Sequence, residues 1–272
     1  MNRRWTLDDI PWDRFEPGLV DPELLRAVKA AAMVEHNSGD YVTYLCNVFS
    51  DDPEFQAAAR AWGEEEVQHG VALARWARLA DPAFDFAASF KVFTDGYQLP
   101  LQAAQSVRGS RAGELIARCV VEVGTSSFYS AMRDATEEPV LKAICGKIAG
   151  DEFRHFKLFR THAQRYQAER KLGLLRRLKV AFGRLSEASD DELAFAYYSA
   201  NRPPEPYDRK KHSRAYSRHA LPLYRFGHVQ RGIGMILKAC DLDPQGKLSR
   251  WLARAAWWGL RQRHRYLTRH PA

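Results

Sequence analysis

Two Glu-x-x-His pairs, Glu66-Val-Gln-His69 and Glu152-Phe-Arg-His155, constrain the fold of this chain more than any other feature. On a helix, residues three apart share a face, so the carboxylate and imidazole of each pair reach toward one point. A single such pair is a common accident of glutamate-rich helices. These two are in register with two further glutamates. Glu35 lies 31 residues before Glu66, and the midpoint falls between Ser50 and Asp51, at the Asp51-Asp52-Pro53 break. Glu122 lies 30 residues before Glu152, and the midpoint is Glu137, at the Glu137-Glu138-Pro139 break. Residues equidistant from the turn of an antiparallel helical hairpin sit at the same height. Each hairpin therefore faces a glutamate with a Glu-x-x-His, and two hairpins together bring four carboxylates and two imidazoles to one level. Glu35 follows Ala31-Ala32-Met33-Val34, and Glu122 sits inside Cys119-Val120-Val121-Glu122-Val123-Gly124. Carboxylates in such apolar runs repel one another and stay unsolvated unless a cation joins them.

The helical periodicity around these residues predicts an all-α chain. A first helix is expected over 22–50, weakened in the middle by Gly39, and a second from about Pro53 to Leu79, ended by Asp81-Pro82. Residues 81–110, with Gly96, Pro100 and Gly109, read as a connection holding one short helix. A third helix runs from Arg111 to about Ala135 and a fourth from Pro139 to about Arg170. The Asp-Pro and Glu-Pro starts match an acidic cap before proline at the first helical position. Two hairpins joined by a connection of about 30 residues fit a ferritin-like four-helix bundle, whose long crossover between helices 2 and 3 spans one helix length. Residues 1–170 are thus expected to form a di-metal bundle with an N-terminal arm. Residues 171–272 are expected to form a basic helical extension packed on it.

Glu35, Glu66, His69, Glu122, Glu152 and His155 make an oxygen-rich set with one nitrogen per metal. That set suits two iron ions, and a manganese/iron pair fits the same donors. Metal-bound histidines usually donate their other ring N–H to a carboxylate. Asp151 and Glu65 each precede a ligand glutamate and are placed to serve the histidine of the opposite helix, the alternative for Glu65 being a solvated charge. Trp62, one turn before Glu66, reads either as core or as an electron-transfer neighbour. Gly124, Ser126 and Ser127 either leave room for a substrate, walled by Phe128 and Tyr129, or permit close helix packing.

The segments WGEEEVQHG (62–70) and EEPVLKAICGKIAGDEFRHFKLF (137–159) resemble the metal-binding helices of soluble acyl-carrier-protein desaturases, within the ferritin-like di-iron carboxylate superfamily. Glu122-Val123-Gly124-Thr125 resembles that family's third-helix motif, in which a threonine follows the glutamate by three residues. The resemblance covers roughly residues 30–165. It implies an O2-activating non-haem di-iron oxidoreductase that acts on an apolar, fatty-acyl-type substrate. It makes Thr125 the candidate for proton delivery or oxygen positioning, against helix back-bonding as the plain alternative. It also implies a homodimer. Electrons would come from an external donor, since no flavin or iron–sulfur motif is visible. Two other classes stay open. One is a rubrerythrin-like peroxidase or ferroxidase. The other is a metal-stabilised module that binds a membrane or a carrier.

The net charge of +8 is uneven. Residues 1–200 carry 25 Lys and Arg against 29 Asp and Glu, whereas 201–272 carry 16 against 4. KLGLLRRLKVAFGRL (171–185) is basic and amphipathic, NRPPEPYDRKK is broken by Pro203, Pro204 and Pro206, and 213–268 return to helical composition with Trp251, Trp257 and Trp258 among arginines. Such a tail suits an acidic acyl carrier protein or an anionic membrane, or packs on the bundle with its arginines outward. No reading motif accompanies the charge, so nucleic acid is not an expected partner. No apolar run follows the N-terminal arginines and none approaches about 20 residues, so neither a secretory signal nor a membrane span is expected. Four cysteines without a C-x-x-C pair fit reduced thiols and a cytoplasmic location.

Overall fold

The computed structural model describes residues 4–187, 191–203 and 205–270, and those residues form helices and turns with no strand among them. Pro204 and the N-terminal residues 1–3 lie outside the described residues. No helix among them is long and apolar enough to cross a membrane.

The helices that carry the acidic residues begin where acidic caps and prolines dictate. Helix α1 (Pro22–His36) starts behind Asp21, whose carboxylate accepts from Glu23 N at 2.8 Å. Helix α2 (Ser38–Val48) follows after a single residue, Asn37. Helix α3 (Pro53–Ala80) is capped by Asp52, which accepts from Phe55 N at 3.0 Å. A short helix α4 (Phe86–Gly96) occupies the connection, and Ser110 caps helix α5 (Arg111–Ala135) through Gly113 N. Helix α6 (Pro139–Glu169) is capped by the fully buried Glu138, which also accepts from Trp76 Nε1 at 2.6 Å and so ties the start of α6 to α3. Acidic caps of this kind each contribute about 1 kcal/mol.

One of the sequence expectations needs correction. The single helix expected over 22–50 is two helices, and the break falls at Asn37 rather than Gly39. Asn37 has left the helical conformation (ψ 14°), and the next residue, Ser38, donates its hydroxyl to Gly63 O of α3 at 2.9 Å. Helix α8 (Asp191–Asn201) follows the basic helix α7 (Leu174–Glu187). The prolines fall between α8 and helix α9 (Arg209–Ala220). Helices α10 (Phe226–Ala239) and α11 (Lys247–Arg269) complete the chain.

Helix α5 packs along α6, α1 along α3, and α3 meets α6, so the two hairpins join through their later helices. At Gly70 the α1 and α3 backbones come so close that an added Cβ would lie 2.7 Å from His36 N. Helix α8 lies on α1 and α4, α9 on α1 and α8, α10 on α5, and α11 on α10. The buried apolar side chains form two clusters. One contains Val28, Met33, Leu73, Trp76, Tyr129 and Ile144, and the other contains Leu45, Phe55, Trp62, Leu115, Cys119 and Phe159. Along α3, α5 and α6 the chain passes from one cluster to the other through Glu66, Glu122 and Glu152. The acidic layer is thus sandwiched between two apolar blocks. Helix α11 differs: Ala253 and Leu267 are buried, while Trp251 and Trp258 are 64% and 67% exposed beside arginines. All four cysteines are free thiols.

Candidate metal centre

The six side chains that spacing placed at one level do meet. Ligand atoms of Glu35, Glu66, His69 and Glu152 lie within 4.8 Å of one another, as do those of Glu66, Glu122, Glu152 and His155. All six residues are buried. Glu66 and Glu152 belong to both groups and divide their oxygens between them. Glu66 presents Oε2 to His69 Nδ1 at 3.2 Å and Oε1 to His155 Nδ1 at 3.0 Å. Glu152 presents Oε1 to His69 Nδ1 at 3.4 Å and Oε2 to His155 Nδ1 at 3.9 Å. Glu35 Oε2 completes the His69 half at 3.8 Å, and Glu122 Oε2 the His155 half at 3.6 Å. Donors held about 2.1 Å from a common ion stand roughly 3.0–3.5 Å apart, so these spacings are near those of two coordination shells sharing two carboxylates.

The second nitrogen of each ring is engaged elsewhere. His69 Nε2 donates to Asp151 Oδ2 at 2.9 Å, and His155 Nε2 donates to Glu65 Oε2 at 3.1 Å. Each of these carboxylates thus serves the histidine of the opposite helix, as the sequence reading placed them. With Nε2 protonated, a neutral ring turns its Nδ1 lone pair toward carboxylate oxygens, which is repulsive unless a proton or a cation lies between. His155 Nδ1, Glu122 Oε2 and Glu152 Oε1 are buried and lack a hydrogen-bond partner. The donor set, its burial and these orphaned atoms fit one ion in each half.

Without an ion, protons take that role. Burial, joined by the charge of Glu66, pushes the Glu35 carboxyl well above the usual carboxylate range. Burial does the same to Glu122, joined by the charges of Glu152 and Glu66 and opposed by His155. Burial also opposes ionisation of Glu66, but His155 and His69 together outweigh it and hold that carboxyl well below the range. Burial and the charge of Glu66 oppose ionisation of Glu152, but His155 and His69 beside it outweigh them and lower that carboxyl too. Burial disfavours the imidazolium of His69, yet Asp151, Glu152, Glu35 and Glu66 raise it well above its ordinary value. His155 is likewise raised, against its burial, by Glu66 first.

Thr125 Oγ1 donates to Glu152 Oε2 at 2.5 Å while lying near the carbonyls of Glu122 and Val121. It therefore combines back-bonding with a contact to a shared carboxylate. Trp62 belongs to an apolar cluster and stands edge-on to Phe159, its Nε1 unpartnered.

The pocket residues read from the sequence need correction. A cavity of about 60 Å³ borders Glu35, Glu66, Glu122 and Glu152, and its wall is built by Tyr41, Trp62, Arg118, Val121, Arg184 and Glu192 among others. Gly124, Ser126, Ser127, Phe128 and Tyr129 do not line it. Ser126 bonds its own helix at Val123 O, Ser127 abuts Gly232 of α10, and Phe128 packs on Tyr129 and Tyr216. Ser127 thus serves close helix packing, whereas Gly124 is exposed with open space where a side chain would sit. Tyr129 instead donates its hydroxyl to Glu35 Oε1 at 2.5 Å. At about 60 Å³ the cavity is far smaller than the channel a long acyl chain requires.

Several residues near the centre were missed from sequence. Trp5 donates to Asp151 at 2.6 Å and stacks on His69 with ring centroids 5.9 Å apart. Arg154 bonds both Asp151 and Glu65, and Arg4 bonds Glu65. A spacing signal existed for Arg118, four residues before Glu122 on its helix face, and for the contact of Tyr129 with the acidic layer, seven after it. None existed for Trp5. No protein-family model matches the chain, and no curated protein matches it.

Proposed function

We propose that this chain is a ferritin-like di-iron oxidoreductase that activates O2 to oxidise a small organic substrate. In this reading α1 with α2, α3, α5 and α6 form the four-helix bundle, and 174–269 form an extension on it. The observation that carries the reading is the division of Glu66 and Glu152 between the two histidine halves. A lone structural ion would need only one half. Glu35 and His69 would hold one iron and Glu122 and His155 the other, with Glu66 and Glu152 shared. When bound, the iron pair supplies electrons to O2 and oxidising power toward a substrate.

The remaining work falls to side chains of this chain. Asp151 and Glu65 fix the ring orientation of the histidines and keep their protons on Nε2. Tyr129 steadies Glu35, and Thr125 holds a proton at Oγ1 against the Glu152 carboxylate. The two apolar clusters above and below exclude water from the layer. Reduction would come from an external donor.

An oxygen electrode tests the reading. Protein loaded anaerobically with two ferrous ions per chain should consume O2 rapidly on mixing, and metal-free protein should not. Uptake no faster than that of the same ferrous iron in buffer would reject it.

A further inference from the structure

Arg118 is only 8% exposed, lies on the wall of the cavity and has no carboxylate partner among the described residues. Its Nε is buried without a hydrogen bond, and its guanidinium rests on the ring of Tyr41, 4.5 Å from the centroid. Burying a charge without an ion pair is costly, so a side chain kept in this state is built for a partner that arrives from outside.

The charges around the cavity indicate that partner. Two divalent ions would cancel the four shared and terminal carboxylates. Asp151 and Glu65 are engaged by Arg154, and Glu65 also by Arg4. Glu192 accepts from Tyr41 Oη at 2.8 Å with both oxygens. Glu187 is held by Arg108 through two bonds and stands 3.9 Å from Arg184. Arg118, by contrast, has no such ion pair, and its guanidinium is the cation on the cavity wall that an incoming anion can take.

We infer that Arg118, backed by Tyr41, anchors the carboxylate of a small monoanionic substrate in this cavity. The inference rests on the di-iron reading for what happens to that substrate, but not for its binding. A guanidinium takes a carboxylate through two parallel hydrogen bonds, which fixes orientation as well as position. Arg118 precedes Glu122 by four residues, about 6 Å along the helix axis. A carboxylate held there would bring carbons two or three bonds away to the level of the metals. A cavity of about 60 Å³ accepts a short acid and not an acyl chain.

The test is equilibrium dialysis of radiolabelled propionate and of neutral propionamide, on iron-loaded and metal-free protein, with iron counted in every sample. Wild type should bind one propionate per chain at least about tenfold more tightly than propionamide. Arg118→Gln should remove that preference with iron content unchanged, and Arg118→Lys should keep part of it. Arg254→Gln, on the exposed face of α11, should change nothing. Propionate binding that is equal in wild type and Arg118→Gln, or equal to propionamide binding in wild type, overturns the inference. If Arg118→Gln fails to fold, the comparison of acid with amide in wild type decides alone. A chain that discriminates through Arg118 yet takes up no iron would support this site and overturn the di-iron reading. A chain with two irons and no discrimination would do the reverse.

Discussion

The two halves of the acidic layer share Glu66 and Glu152 but are not held alike. In the His69 half the two unshared donors, His69 and Glu35, are both braced. His69 is fully buried, its Nε2 is fixed by Asp151, and Asp151 is fixed by Trp5 and Arg154. Glu35 receives the Tyr129 hydroxyl. In the His155 half, Glu65 reaches solvent and leans on two arginines, and Glu122 Oε2 has no partner. Pre-organised donors lose less freedom on binding, so the His69 half should fill first and more tightly.

The largest expected effect separates shared from terminal ligands. Glu152→Ala should abolish loading of both ions, whereas Glu122→Ala should leave one, as read by iron content after desalting. Equal losses would erase the distinction between the halves. Next come the carboxylates behind the histidines. Asp151→Asn and Glu65→Gln should each weaken iron binding about 10–100-fold, with Asp151→Asn the more damaging because Asp151 is buried whereas Glu65 reaches solvent. A competitive chelator titration checks the order.

A smaller effect concerns pH. Glu35, Glu122, His69 and His155 have native pKa values above their unfolded ones. Their contribution to stability is complete below the unfolded values of 4.5 and 6.5 and is lost as pH rises through the native values. Glu66 and Glu152 are depressed, so their contribution is present above 4.5 and is lost as pH falls through their native values. Metal-free protein should therefore melt highest in mild acid and lower at pH 8. Ions replace the protons, so the gain in melting temperature on iron loading should grow from pH 6 to pH 8. A constant gain would mean that the cluster exchanges no protons for metal. The smallest effect is expected from Thr125→Val, which should leave both ions bound and slow O2 uptake only; unchanged uptake would reduce Thr125 to a packing residue.

Much of this arrangement was legible in the sequence because helices impose rigid spacing. The i, i+3 pairs and the distances of Glu35 and Glu122 from the two proline breaks fix heights along the helices without any tertiary information. The acidic caps gave the starts of α3 and α6 for the same reason. The break at Asn37 was not legible, since it depends on Ser38 reaching Gly63 across a helix contact. Helix α8 was hidden between a charged segment and the prolines, and with it the placement of Glu192 on the cavity wall. Trp5 meets Asp151 from 146 residues away, and no local pattern announces such a contact.

The most direct test of the central claim is the iron stoichiometry of wild-type protein, titrated anaerobically with 57Fe(II) and followed by elemental analysis and Mössbauer spectroscopy. The expected result is two ions per chain that fill in sequence and give two distinguishable ferrous environments. Absence of bound iron, or a single ion that persists in Glu152→Ala, would contradict it.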